Sequence, residues 1–163
     1  MIVISDATPI ITLAKIDKLD ILGRFYHEVL LPNAVFDEVC GNPAFAAEAS
    51  AIQKCEFIRL KAVNRIQSVK ILMASGFGLG ESEAIVLADT LSDTLLLIDE
   101  RQGRQIAQNM GIRITGTLGI LLQAKKLGLI ENIKPLLDKL ITENIRISEP
   151  LYNSILEQAL EKP

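Results

Sequence analysis

Six acidic residues have the type and spacing that could do chemistry in this chain: Asp6, Glu38, Glu81, Glu83, Asp99 and Glu100. Asp6 follows a short β-branched run at residues 2–4, and Asp99 ends a longer apolar run at residues 94–98. Strand ends of one parallel sheet point to a common edge, where open α/β folds place their ligands. Glu38 and Glu81 fall on helices that begin just past that edge or pack beside it. Carboxylates gathered there repel one another unless a cation neutralises them. Oxygen donors without histidine or cysteine suit Mg²⁺ or Mn²⁺. Such a cation lowers the pKa of bound water and can hold a phosphodiester for in-line attack. Glu83 and Glu100 are candidate extra ligands or supports for the others.

Taken singly, each acid has an ordinary structural explanation. Asp6 could cap a helix, although Thr8 already offers a cap. Glu38 sits beside Asp37 on an exposed helix face. Glu81 and Glu83 could be first-turn acids favoured by the helix dipole. Asp99 could cap the helix that starts near Arg101. Two acids at strand ends are harder to explain in this way. Arg101 and Arg104 follow Asp99 on one helix and could reach a phosphate, or else pair with Glu100 or lie in solvent. Thr117, just past Gly116, could orient water or phosphate, or only cap its own helix.

The elements that must position these residues alternate. Strands are predicted at residues 2–4, 29–31, 57–60, 94–98 and 112–115. Helices are predicted at 9–22 with Gly23 as the stop, from 33 to a break at 41–43, and at 44–54, 65–74, 81–88, 101–110 and 118–127. Residues 76–80 read as a mobile glycine-rich loop. Two or three more helices follow residue 130, broken near residues 145–148 and at Pro150. This alternation predicts an α/β fold with a central parallel sheet. The chain is expected to form a single domain over residues 1–163, with 130–163 as a helical C-terminal extension of it.

Composition narrows the function classes. With 49% hydrophobic and 23% charged residues, the 163-residue chain can bury a real core and is not disordered. A net charge of -3 argues against coating nucleic acid by charge alone. Cys40 and Cys55 lack metal-ligand spacing and are expected to be reduced thiols in a cytoplasmic protein. No apolar run approaches a membrane span. The lone histidine, His27, cannot build a histidine-rich metal site and has no nucleophile motif around it.

Five stretches in order carry a family resemblance: S-D-A-T-P-I, L-P-N-A-V-F-D-E-V, G-L-G-E-S-E-A-I-V-L-A, L-L-L-I-D-E-R-Q-G-R-Q-I-A and T-G-T-L-G-I-L-L-Q-A-K. Together they resemble PIN-domain proteins, and specifically a prokaryotic branch related to the VapC-type toxins of toxin–antitoxin pairs. The resemblance covers essentially the whole chain. It implies a three-layer α/β/α fold and a Mg²⁺- or Mn²⁺-dependent ribonuclease that cleaves RNA. It further implies a small antitoxin protein as partner and a homodimer. A mean hydropathy of +0.31 agrees with a buried interface. Residue by residue, the resemblance places Asp6, Glu38, Glu81 and Asp99 at the family's acidic positions, and Thr8 at the small hydroxyl residue after the first acid. Glu83 competes with Glu81 within G-E-S-E-A, and Glu100 competes with Asp99 when the following arginine sets the alignment.

The alternative is a catalytically inactive PIN-like binding module that acts through protein partners. Receiver and phosphatase domains also gather acids at strand ends. Receivers need a lysine after the last strand, where this chain has Thr115-Gly116. Such phosphatases need an aspartate two residues past the first, where this chain has Thr8.

Overall fold

The computed structural model describes residues 1–163. Its centre is a parallel five-stranded sheet of β1 (Ile2–Ser5), β2 (Val29–Pro32), β3 (Ile58–Lys61), β4 (Thr94–Leu97) and β5 (Arg113–Thr115), in the order β3-β2-β1-β4-β5. Ten α-helices flank it: α1 (Ala7–Lys15), α2 (Asp20–Tyr26), α3 (Asn33–Cys40), α4 (Ala46–Gln53), α5 (Ile66–Ala74), α6 (Leu79–Thr90), α7 (Arg101–Asn109), α8 (Thr117–Lys126), α9 (Lys134–Thr142) and α10 (Glu149–Gln158). The result is the α/β fold with a parallel sheet that the element pattern predicts, in the three-layer α/β/α form that the resemblance implies. Successive residues Val3 and Ile4, and Leu96 and Leu97, are buried although their side chains point to opposite faces. Only a sheet covered on both sides permits that, which is why these strands read as unbroken apolar runs.

The strand order reverses beside β1. From β1 the chain moves outward to β2 and β3, then returns to lay β4 on the other flank of β1. The crevice between the carboxyl ends of β1 and β4 is therefore the switch point where such sheets bind ligands. The two strands pair in register from Ile2 against Thr94 to Ser5 against Leu97. The Asp6 N–H continues the ladder by donating to the Leu97 carbonyl at 2.9 Å.

Several predicted boundaries move, each for a local reason. The helix expected over residues 9–22 is two helices, α1 and α2, separated at Asp17, whose φ of 56° lies in the left-handed region. A short polar side chain tolerates that conformation better than most. Gly23 does not stop a helix but lies inside α2, pressed against the Phe57 ring; the stop is His27, at φ 64°. The loop expected at 76–80 ends early, because Leu79 and Gly80 already belong to α6. Pro150 does not break a helix. It occupies the first turn of α10, where its missing N–H costs nothing.

The core is contiguous. Its 38 buried apolar residues run from Val3 to Ala159 and include Leu137, Leu140, Ile155 and Leu156 of the C-terminal helices. Glu161 fastens that segment. It accepts hydrogen bonds from Lys125 Nζ at 2.8 Å, the Ile133 N–H at 2.7 Å and the Lys134 N–H at 3.1 Å. No helix is long and apolar enough to cross a membrane.

Candidate active site

Asp6 stands where β1 passes into α1 and is only 6% exposed. It occupies the N-cap position with extended backbone, yet its side chain makes no capping hydrogen bond. Thr8, the expected cap, lies in the first turn with its side chain turned to solvent. Burial raises the Asp6 carboxyl from its ordinary value to about 6. The Ala7 N–H pulls the other way at a geometry too poor for a cap, while Glu38, Asp99 and Glu100 add repulsion. A carboxylate kept buried, uncapped and among like charges is poorly placed for stability, and such placement is typical of functional sites.

Asp99 lies two residues beyond β4, across the switch point. Thr117, the first residue of α8 and almost fully buried, grips both of its oxygens. The Thr117 N–H donates to Oδ1 at 2.7 Å and the hydroxyl to Oδ2 at 2.6 Å. Thr117 therefore orients a carboxylate instead of meeting solvent. Each carboxylate oxygen retains a further lone pair.

Glu100, not Asp99, caps α7. It accepts from the Gly103 N–H at 2.7 Å, and this bond, against the opposing effect of burial, holds its pKa below the usual range. Glu81, in the first turn of α6, behaves oppositely. Burial first, then repulsion from Asp6, Glu100 and Glu38, raise it to about 7. Its Oε1 is buried without a hydrogen-bond partner. That atom is left wanting a proton or a cation.

The structure separates the paired candidates on α6. Glu81 feels Asp6, Glu38 and Glu100. Glu83 points to α3 and accepts from the Ala34 N–H at 3.2 Å, satisfying one of that helix's open donors. Glu38 is exposed on α3, and with Asp37 and Glu83 it lines an open groove of about 610 Å³. A larger concavity of about 870 Å³, between Leu122, Leu127 and Leu160, contains none of the six acids.

The arginines differ as well. Arg104 Nη1 donates to the Ile98 carbonyl at 2.8 Å, so it braces the chain just before Asp99. Arg101 is exposed at the start of α7 and makes no salt bridge. Of the two, Arg101 is thus the one whose side chain has no partner within the protein.

The donor set fits a hard divalent cation in chemistry, being all carboxylate oxygen with one buried orphan atom. It is not a closed cage, since no three acidic, histidine or cysteine side chains reach metal-holding spacing. Mutual repulsion opposes such closure until positive charge arrives.

Three contributors escape a reading based on chemically active residue types. Gly80, Gly103 and Gly116 each abut one of the acids: Glu38, Glu81 and Asp99 respectively. The signal for one of them was present, since an interior helical glycine such as Gly103 costs about 1 kcal/mol against alanine.

The family model described as DUF3368, PIN domain, matches residues 2–161. Neither the curated proteins nor the solved structures contain a match to the chain. PIN domains are typically nucleases that bind RNA and generally use divalent metal ions.

Proposed function

This chain belongs to the PIN-domain family, and on that premise we propose that it is a Mg²⁺- or Mn²⁺-dependent endoribonuclease hydrolysing RNA phosphodiester bonds. The observation that carries the reading is Asp6, a buried and uncapped carboxylate at the switch point, within electrostatic reach of Glu38, Asp99 and Glu100. Asp6, Glu38, Glu81 and Asp99 are the proposed cation ligands. The cation would supply Lewis acidity to the phosphodiester and to water. Glu100 supports Glu81 and the start of α7, and Glu83 supports α3.

The remaining groups bind and orient. Thr117 fixes the plane of the Asp99 carboxylate through two donors. Arg104 holds the Ile98 carbonyl and with it the turn that presents Asp99. The exposed Arg101 is proposed to steady the RNA backbone, and the Thr8 hydroxyl, exposed two residues past Asp6, to bind substrate.

We further propose that the protein is the toxin of a toxin–antitoxin pair, held by a small antitoxin, and that it dimerises as one domain. The motif order described above supports the first. Exposed Ile66, Ile71, Met73 and Leu79 on α5 and α6 support a protein–protein contact. The contiguous core supports the single domain.

The test is cleavage of mixed RNA substrates by purified protein with Mg²⁺, with Mn²⁺ and with EDTA, beside Asp6→Asn. Cation-dependent cleavage that is absent in the folded variant is expected. A folded, partner-free protein that cleaves nothing under any condition would favour a binding module instead.

A further inference from the structure

Gly103 lies in the first turns of α7, buried and with ordinary helical backbone. No left-handed φ calls for a glycine there, and alanine would favour the helix. Its N–H donates to Glu100 Oε2 at 2.7 Å, a service any residue but proline could perform. What glycine alone provides is room. A Cβ at this position would overlap Glu81 Oε1, and would stand 3.2 Å from Glu81 Cδ and 2.6 Å from Ile98 Cδ1.

The same relation recurs at two other positions. A Cβ on Gly80 would meet Glu38 Oε2 at 2.7 Å, and one on Gly116 would meet Asp99 Oδ1 at 2.6 Å. Each carboxylate belongs to a different element from its glycine. Backbone thus forms the surface on which each of these acids rests.

We propose that Gly103 is a positioning residue of the carboxylate centre, its bare α-carbon forming the seat that keeps Glu81 against α7 beside Glu100. The proposal rests on the reading of this site as a cation centre. Glu81 Oε1 is the far end of a flexible side chain and swings away from an added methyl, while the terminal Ile98 methyl turns aside, a local cost offset in part by the better helix propensity of alanine. That movement removes the carboxylate from its place. Gly103→Ala therefore damages the site more than the fold.

The test compares wild type, Gly103→Ala, Glu81→Asp and the double variant. Two readouts are used: the carboxyl ¹³C resonance of residue 81 in cation-free protein, and Mn²⁺ affinity by calorimetry. In Gly103→Ala the resonance moves, the cation-free melting temperature holds, and Mn²⁺ affinity falls about tenfold, the low end for losing a supporting group. Glu81→Asp withdraws the carboxylate by one methylene, so adding Gly103→Ala to it has little further effect. An unmoved Glu81 resonance in Gly103→Ala overturns the seat. So does a full additional loss in the double variant, which would assign the effect to Ile98. If wild type binds no Mn²⁺ while the resonance still moves, the seat stands and the cation reading fails.

Discussion

Thr117 holds both oxygens of Asp99, one through its backbone N–H and one through its hydroxyl, at 2.7 and 2.6 Å. A β5–α8 junction thereby controls a carboxylate that belongs to the β4–α7 junction. Thr117→Val keeps the shape and the N–H but removes the hydroxyl. It should cost about 1.5–3 kcal/mol, the range for a hydrogen bond to a charged group, and weaken cleavage. Urea unfolding with an unchanged m-value checks the first part. A variant as stable as wild type would show that the hydroxyl contributes nothing net.

Asp6→Asn should raise the stability of the cation-free protein while abolishing cleavage. At pH 7 the native Asp6 is forced to ionise in a buried site beside other acids, against its pKa of about 6. Relief is of order 3 kcal/mol, given a rise from 3.8 to about 6 and about 1.4 kcal/mol per pKa unit. Chemical denaturation at pH 7 and pH 5 separates the cases, because the gain should shrink at the lower pH.

Stability without cation should rise as pH falls from 8 toward 5. Asp6 and Glu81 have native pKa values of about 6 and about 7, above their unfolded values. Between those limits the native state binds more protons than the unfolded state, so acid favours folding. Protons compete with cation at the same oxygens, so Mn²⁺ affinity should fall over the same window. Saturating Mn²⁺ should flatten or reverse the slope of melting temperature against pH. A slope unaffected by Mn²⁺ would separate the titrating groups from the cation site.

Glu81 and Glu83 should respond differently to amide substitution. Glu81→Gln should lower Mn²⁺ affinity by about ten- to a hundredfold, as expected for a lost ligand or its support. Glu83→Gln should leave affinity within about twofold while preserving an acceptor for the Ala34 N–H. Calorimetry on both variants decides it, and equal losses would return Glu83 to the site.

Glu161→Ala should cost several kcal/mol and loosen the C-terminal helices. Burial raises the Glu161 carboxyl, but Lys125 and the Ile133 and Lys134 N–H groups more than offset this and hold it low. Its stabilisation is present above the ordinary carboxylate range and fades as pH falls through the native pKa. Hydrogen exchange in α9 and α10 should accelerate in the variant at neutral pH. Unchanged exchange would mean that apolar packing alone holds the segment.

Strand content and order of elements were legible because both-sided burial leaves plain apolar runs at 94–98 and 29–31. The edge shared by Asp6 and Asp99 followed from parallel pairing alone. Break points were not legible where a single backbone angle decides, as at Asp17 and His27, since neither residue type demands a left-handed φ. The choice between Glu81 and Glu83 was also out of reach. Both lie at the start of one helix, and only the position of α3 turns Glu83 toward the Ala34 N–H. The contact of Arg104 was out of reach for a related reason, since its target is a backbone carbonyl and no side-chain pattern announces one.

The in-register pairing of β1 with β4 also sets a timetable. During synthesis Asp6 precedes by 88 residues Thr94, where β4, the strand across the switch point, begins. Asp99 then waits for Thr117, which begins α8 after β5 has joined the far side of β4. A ribosome-bound chain that ends before residue 117 holds the acids without the arrangement that relates them. Whatever chemistry this edge performs is thus withheld from the nascent polypeptide until its last strand is in place.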